Sequence, residues 1–155
     1  MSGAQMTQTG ERTLRGRKIC GGESEIPATG EALVTRMGIS FFGGVDPDTG
    51  IVVEKGHELE GQTVAGKVLV FPSGKGSTVG SYTLYRLKRC GAAPAAIVNA
   101  ECETITAVGC IIAEIPCVDH IPLEELRSGM LLRVDGEQGT VTIRAHATAR
   151  LDSRR

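Results

Sequence analysis

The feature that most constrains this chain is a pair of short apolar runs with a glycine turn and an amphipathic stretch between them. Residues 66–72, "GKVLVFP", are almost continuously apolar until Pro72 stops the run, and residues 95–100, "AAIVNA", repeat the pattern. Apolar runs without alternation belong to strands buried on both faces. Between them, "STVGSYTLYRLKRCG" (77–91) sets Val79, Tyr82, Leu84, Tyr85 and Leu87 in an apolar stripe of helical width. Lys88 and Arg89 suit the last turn, Gly91 the C-cap, and Ser77 or Thr78 the N-cap. Strand, helix and strand in this order require a parallel pair joined by a crossover.

The flanking segments fill out a mixed α/β domain, three-layered or barrel-like. "LRGRKICGG" (14–22), "EALVTRM" (31–37) and "PCVDHI" (116–121) read as strands, and "TITAVGCIIAEI" (104–115) as a second helix with Thr104 near its start. "PLEELRSG" reads as a helical turn, and "MLLRVDGEQGTVTIR" as two strands around residues 135–139. "GISFFGGVDPDTGIVV" (38–53) carries turn signals at Gly43-Gly44 and at residues 46–50. Residues 1–12 and 146–155 are polar and aperiodic and are expected to be disordered tails, leaving 13–145 as one domain.

Composition removes several classes of function. A net charge of -1 supplies no field to steer a polyanion, and 3% aromatic residues supply no base-stacking platform. Nucleic acid is therefore not an expected partner. Nor is a membrane, since no apolar run approaches the roughly 20 residues of a span. No basic, then apolar, leader opens the chain, so a cytoplasmic protein is expected. Cys20, Cys90, Cys102, Cys110 and Cys117 are odd in number and lack C-x-x-C spacing, which favours reduced thiols packed as small hydrophobes over disulfides or a metal knuckle. His57, His120 and His146 lie in unrelated contexts and read as surface or core residues.

The turn between strand and helix, "PSGKGSTVG", is the chemically dense stretch. A strand that turns through Gly74-Lys75-Gly76 and enters a helix near Ser77 aims backbone amides at one point, where the helix N-terminus carries about half a positive charge. Lys75 adds a charge, and Ser77 and Thr78 add hydroxyls. The stretch is not a Walker A loop, because Lys75 precedes the second glycine, and the spacing of Gly74, Gly76 and Gly80 is not that of a dinucleotide fingerprint. Three readings stay open on these residues: an anion cradle, a catalytic turn, and a helix cap. A serine becomes a base only where its oxyanion is stabilised, and helix amides with a nearby cation are groups that do so.

Four stretches together, "GEALVTRMGISFFGGVDPDTGIVV", "GKVLVFPSGKGSTVGSYTLY", "AAIVNAECETITAVGCIIAEIPCVD" and "GTVTI", resemble the small subunits of the aconitase X family. Within that family the resemblance is greatest to the archaeal phosphomevalonate dehydratase type, and it covers roughly residues 14–144. It implies a swivelling β/β/α domain like the C-terminal domain of aconitases, with a mixed sheet or barrel and flanking helices. It implies a heterodimer with a large aconitase-like subunit that holds a 4Fe–4S iron–sulfur cluster, with no cofactor or metal on this chain. The serine of the G-K-G-S motif, the family's proton acceptor, falls on Ser77. Gly74, Lys75, Gly76 and Thr78 are then expected to bind a phosphorylated small-molecule substrate.

The implied reaction is dehydration of (R)-5-phosphomevalonate to trans-anhydromevalonate 5-phosphate, a hydro-lyase step of a mevalonate pathway to isoprenoids. Other members of the family dehydrate cis-3-hydroxy-L-proline, and the motif does not separate the two. The further alternatives are a non-catalytic module that binds an anion or a partner, and an autonomous ligand-binding or metal-binding protein that uses its cysteines. "FFGGVDPDTG" reads either as a core Phe41–Phe42 pair with a tight turn or as a loop that, with Asp46, faces the large subunit.

Overall fold

The computed structural model describes residues 5–6, 11–23, 26–76 and 78–144. Strands β1 (Gln5–Met6), β2 (Arg12–Arg15), β3 (Arg17–Cys20) and β4 (Ala28–Val34) come first. A short helical turn α1 (Phe41–Gly44) precedes β5 (Val68–Phe71), α2 (Gly80–Arg89), β6 (Ala96–Asn99), α3 (Thr104–Ala113) and β7 (Cys117–Asp119). A 3₁₀ turn over Leu123–Glu125 leads into β8 (Leu131–Asp135) and β9 (Thr140–Ile143).

Among the described residues the strands are ordered β1-β2-β9-β8-β4-β5-β6-β7-β3. Strands β4 to β7 pair in parallel. The β1-β2-β9-β8-β4 section is antiparallel, as is the β3–β7 edge. β4 serves both sections: Ala28–Glu31 pair with β8, and Ala32–Val34 with β5. β2 and β3 are likewise one stretch of chain that leaves β9 for β7 at Gly16, where a Cβ would collide with Asp119 O. The single strand expected over 14–22 is thus two, and the bend between them brings the ends of the sheet together.

Two cores result. Val68, Val70, Ala96, Val98 and Val118 meet Leu14, Leu132, Val134 and Val141 between the two sheet sections. Leu69, Phe71 and Ile97, on the opposite face of the same strands, meet Leu84, Leu87 and Cys110 of the helices. The uninterrupted apolar runs of β5 and β6 are required by this β/β/α layering, because each strand is covered on both sides.

The helices keep their expected places with altered details. α2 begins at Gly80 with Val79 in the capping position; Thr78 precedes that position, and Ser77 lies outside the described residues. Its buried face is Gly80, Thr83, Leu84 and Leu87, so the expected stripe is corrected: Tyr82 and Val79 are exposed. α2 closes on a Schellman motif, with Gly91 N donating to Lys88 O (3.1 Å), Ala92 N to Leu87 O (2.9 Å), and Gly91 at φ +72°. α3 starts at Thr104, as expected, and is capped by Glu103, whose carboxylate accepts from Ile105 N (2.8 Å) and Thr106 N (3.0 Å). β4 ends at Val34 rather than running to Met37. Within the expected tails, Gln5–Met6 pair with β2 and Arg12 opens β2, while the C-terminal tail and His146 lie outside the described residues.

Candidate active site

The carboxyl ends of β4, β5 and β6 gather the loops that begin at Thr35, Pro72 and Ala100. Binding sites of open parallel sheets form at this edge. The glycine turn is the second of these loops and is tied down from several sides. Ile39 and Gly74 form a parallel bridge, and Lys75 N donates to Ile39 O at 2.9 Å. Gly74 rests on the start of α3: a Cβ there would overlap Glu103 Oε1 and lie 2.5 Å from Thr106 Oγ1. Gly76 rests on Ser40, whose Oγ would be 2.5 Å from a Cβ. The φ of +98° at Gly76 is a second reason for glycine there.

Lys75 is not a free cation. Its Nζ lies 2.9 Å from Glu54 Oε2, so the turn is joined to the end of the "FFGGVDPDTGIVVE" segment. His57 supports the same junction. Leu59 N donates to His57 Nδ1 (3.1 Å), which leaves the proton on Nε2 to be donated to Gly38 O (2.9 Å). This buried, fully engaged imidazole is structural, as the sequence suggested.

Of the expected site residues, Gly74, Lys75, Gly76 and Thr78 stand together in one turn, with Lys75, Gly76 and Thr78 exposed. Ser77, the expected proton acceptor, follows Gly76 in the chain and lies outside the described residues. Sequence reasoning missed Ser40, Glu54, Glu103 and Thr106, which support the turn from 20 or more residues away in the chain. "GIS" before the two phenylalanines was the available signal for Ser40; Glu54 carried none. Asn99 was also missed. Its Nδ2 donates to Phe71 O (2.9 Å), because Ala100 N and Glu101 N both turn to Pro72 O (3.1 Å) as the strands part.

Beside the turn is an open groove of about 360 Å³, lined among others by Phe42, Val45, Pro47, Val53, Val79 and Tyr82. Phe41 and Phe42 part company here. Phe41 is buried edge-on against Phe71, with centroids 5.8 Å apart, whereas Phe42 is 53% exposed. The loop behind it is a tight hairpin in which Asp46 Oδ1 accepts from Asp48 N (2.9 Å) and Gly50 N donates to Asp46 O (2.8 Å).

Cys102, the residue before Glu103, meets a second thiol. Cys102 Sγ and Cys117 Sγ are 3.8 Å apart. Hydrogen bonding to Cys117, with burial, pushes the Cys102 thiol far above its ordinary range. At Cys117 the Cys102 contact pulls the other way but is outweighed by Cys110 and by burial, so that thiol is raised too. Among the described residues no group of three or more His, Cys, Asp or Glu side chains is placed to hold a metal ion.

The aconitase X swivel domain matches residues 13–143 of the sequence. The chain belongs to this family. It is 53% identical to the phosphomevalonate dehydratase small subunit of Thermococcus kodakarensis over 130 residues, which are 84% of this chain and 95% of that protein. It is 54% identical to the protein of the same name from Methanosarcina acetivorans over 133 residues, 84% of this chain and 90% of that one. Among solved structures it resembles the holo-form crystal structure of Thermococcus kodakaraensis aconitase X, with a TM-score of 0.81 and 53% identity across 84% of this chain and 97% of that one. The swivelling β/β/α fold expected from the motifs is the fold of this family.

Proposed function

We propose that this chain is the small subunit of a phosphomevalonate dehydratase, a cytoplasmic hydro-lyase active only with a large aconitase-like subunit. The reaction converts (R)-5-phosphomevalonate to trans-anhydromevalonate 5-phosphate. One observation carries the reading: the turn Gly74-Lys75-Gly76, which precedes Ser77 in the chain, stands at the carboxyl edge of the parallel strands, tied by Ile39, Ser40, Glu54 and Glu103, with Lys75 and Gly76 open to solvent. More than 50% identity over nearly the whole length of proteins with that name supports the substrate.

In this reading Ser77 takes the proton from carbon. Lys75, steadied by Glu54, places positive charge beside the residue that gains the proton, and Gly74, Gly76 and Thr78 present the turn to the substrate. The iron–sulfur cluster of the large subunit supplies the Lewis acid for the departing hydroxyl. The groove at Phe42, Val53, Val79 and Tyr82 is the face turned to the large subunit: exposed apolar surface next to a half-site is where a second protein completes it.

The test is anaerobic co-expression with the candidate large subunit, followed by an assay of water loss from 5-phosphomevalonate. The wild-type complex should turn over, and Ser77→Ala should keep assembly while losing at least about a hundredfold in kcat. Turnover of cis-3-hydroxy-L-proline in place of the phosphorylated acid would overturn the substrate. An undiminished Ser77→Ala variant would overturn the role of the serine.

A further inference from the structure

Arg36 and Lys75 both stand at the carboxyl edge of the parallel strands, and they differ in what they are free to do. The Lys75 ammonium is held by Glu54 at 2.9 Å. Arg36 makes no ion pair among the described residues and is exposed. Glu58 anchors the loop: its Oε1 accepts from Thr35 Oγ1 and from the backbone N of Arg36 itself (2.6 Å). Met37 N in turn donates to Thr35 Oγ1 (3.0 Å), and Thr35 N to Val70 O (2.9 Å). The backbone that carries the guanidinium is thus fixed at every residue from 35 to 37, while the guanidinium itself makes no ion pair among the described residues and acts on the Glu58 carboxylate only through its charge.

Its position bears on the site. Two residues further on, Gly38 packs so closely against the turn that a Cβ would lie 3.2 Å from Ser73 O and 3.4 Å from Lys75 Cδ. Arg36 itself lines a recess of about 320 Å³ together with Thr35, Pro72, Ala100, Ile121 and Glu124. Pro72 is where the glycine turn leaves β5, so the recess and the turn open on the same edge. The recess walls carry one other charged side chain, the Glu124 carboxylate, so Arg36 is the group there that can take an anion. A planar guanidinium on a rigid backbone is the side chain suited to bidentate recognition of phosphate or carboxylate.

We propose that Arg36 recognises the anionic end of the substrate and sets the preference for a phosphorylated acid. The proposal rests on the dehydratase reading above. It assigns the remote anion to Arg36 and leaves Lys75 to the reacting end.

The experiment uses the complex with the large subunit. Arg36→Gln should raise KM for 5-phosphomevalonate at least about tenfold, the worth of one charge-assisted hydrogen bond, with kcat changed much less. Arg36→Lys should recover only part of the loss, because the fork is gone. Thermal unfolding of the variants should match that of the wild type. Unphosphorylated mevalonate separates the anions. A KM that Arg36→Gln leaves unchanged for mevalonate places the phosphate on Arg36. An equal rise for both compounds places the carboxylate there and overturns the preference for phosphate. An unchanged KM for 5-phosphomevalonate, or a loss confined to kcat, overturns the proposal altogether.

If the wild-type complex turns over neither compound, the dehydratase reading fails separately. Arg36 is then tested by phenylglyoxal modification of the complex with and without inorganic phosphate, read by mass spectrometry. Protection of Arg36 supports anion recognition, and equal labelling overturns it.

Discussion

Lys75 and Glu54 join the two glycine-rich segments of this domain through a single contact of 2.9 Å between Nζ and Oε2. The pair is partly exposed, with side chains 47% and 29% accessible. In a double-mutant cycle of Lys75→Gln and Glu54→Gln, unfolding in urea should give a coupling of no more than about 1 kcal/mol. Turnover of the assembled enzyme should fall by far more than that coupling accounts for, because the pair positions the turn. Coupling well above that figure, with turnover unaffected, would make the pair a stability element only.

Gly76 and Ser40 constrain each other. Gly76→Ala puts a Cβ 2.5 Å from Ser40 Oγ at a φ of +98°, and should cost about 1–3 kcal/mol in stability. Ser40→Gly in the same chain removes the collision and leaves the backbone strain, so the double variant should regain part of the loss. Chemical denaturation of the two variants measures this directly. Full recovery would mean that φ at residue 76 is unimportant.

Adjacent phenylalanines should behave oppositely. Phe41→Ala empties a core position against Phe71 and should destabilise the domain by about 3–5 kcal/mol. Phe42→Asp touches an exposed ring and should leave the melting temperature nearly unchanged while weakening association with the large subunit. Differential scanning calorimetry and co-purification read the two effects apart.

Asp119 gives the domain an acid-sensitive contact. Burial pushes its carboxyl up, but hydrogen bonds from Arg17 (3.0 and 2.8 Å) and from Cys102 N (2.8 Å), with the charges of His120 and Arg17, outweigh it and leave the pKa below the usual carboxylate value. A carboxyl more acidic in the fold than in the unfolded chain stabilises the fold above the unfolded value, and that contribution is lost as pH falls through the folded value. Asp119→Asn should therefore cost about 1–3 kcal/mol at neutral pH. The two stabilities should converge in strongly acidic solution, as followed by urea unfolding across pH.

Thiol labelling should follow geometry. Cys90 is exposed and should react first with an alkylating reagent at neutral pH. Cys102 and Cys117 should lag: Cys102 is held as a thiol by its contact with Cys117 and by burial, and Cys117 by Cys110 and by burial. Mass spectrometry after short exposure gives the order. Early alkylation of Cys117 would mean that the helix–sheet core opens readily.

The sequence alone determined what depends on neighbours in the chain. The continuous apolar runs of β5 and β6 required two-sided burial, and the glycine turn between them required a strand-to-helix switch; both hold in the structure. Gly91 ended α2 because a left-handed C′ position is a local demand. The motifs were dense enough to reveal the family, and with it the swivelling β/β/α fold.

Tertiary structure decided what depends on distant partners. Periodicity put Tyr82 in the apolar stripe, yet the face of α2 that is buried is set by α3, whose Gly109 would bring a Cβ within 2.5 Å of Leu84 Cδ1. Phe41 and Phe42 are indistinguishable by type, and only the direction of the chain through a four-residue turn separates them. Glu54 reaches Lys75, and Ser40 reaches Gly76, across more than twenty residues. Such contacts leave no periodic trace in the sequence, because they are fixed by how separately folded loops meet at the edge of the sheet.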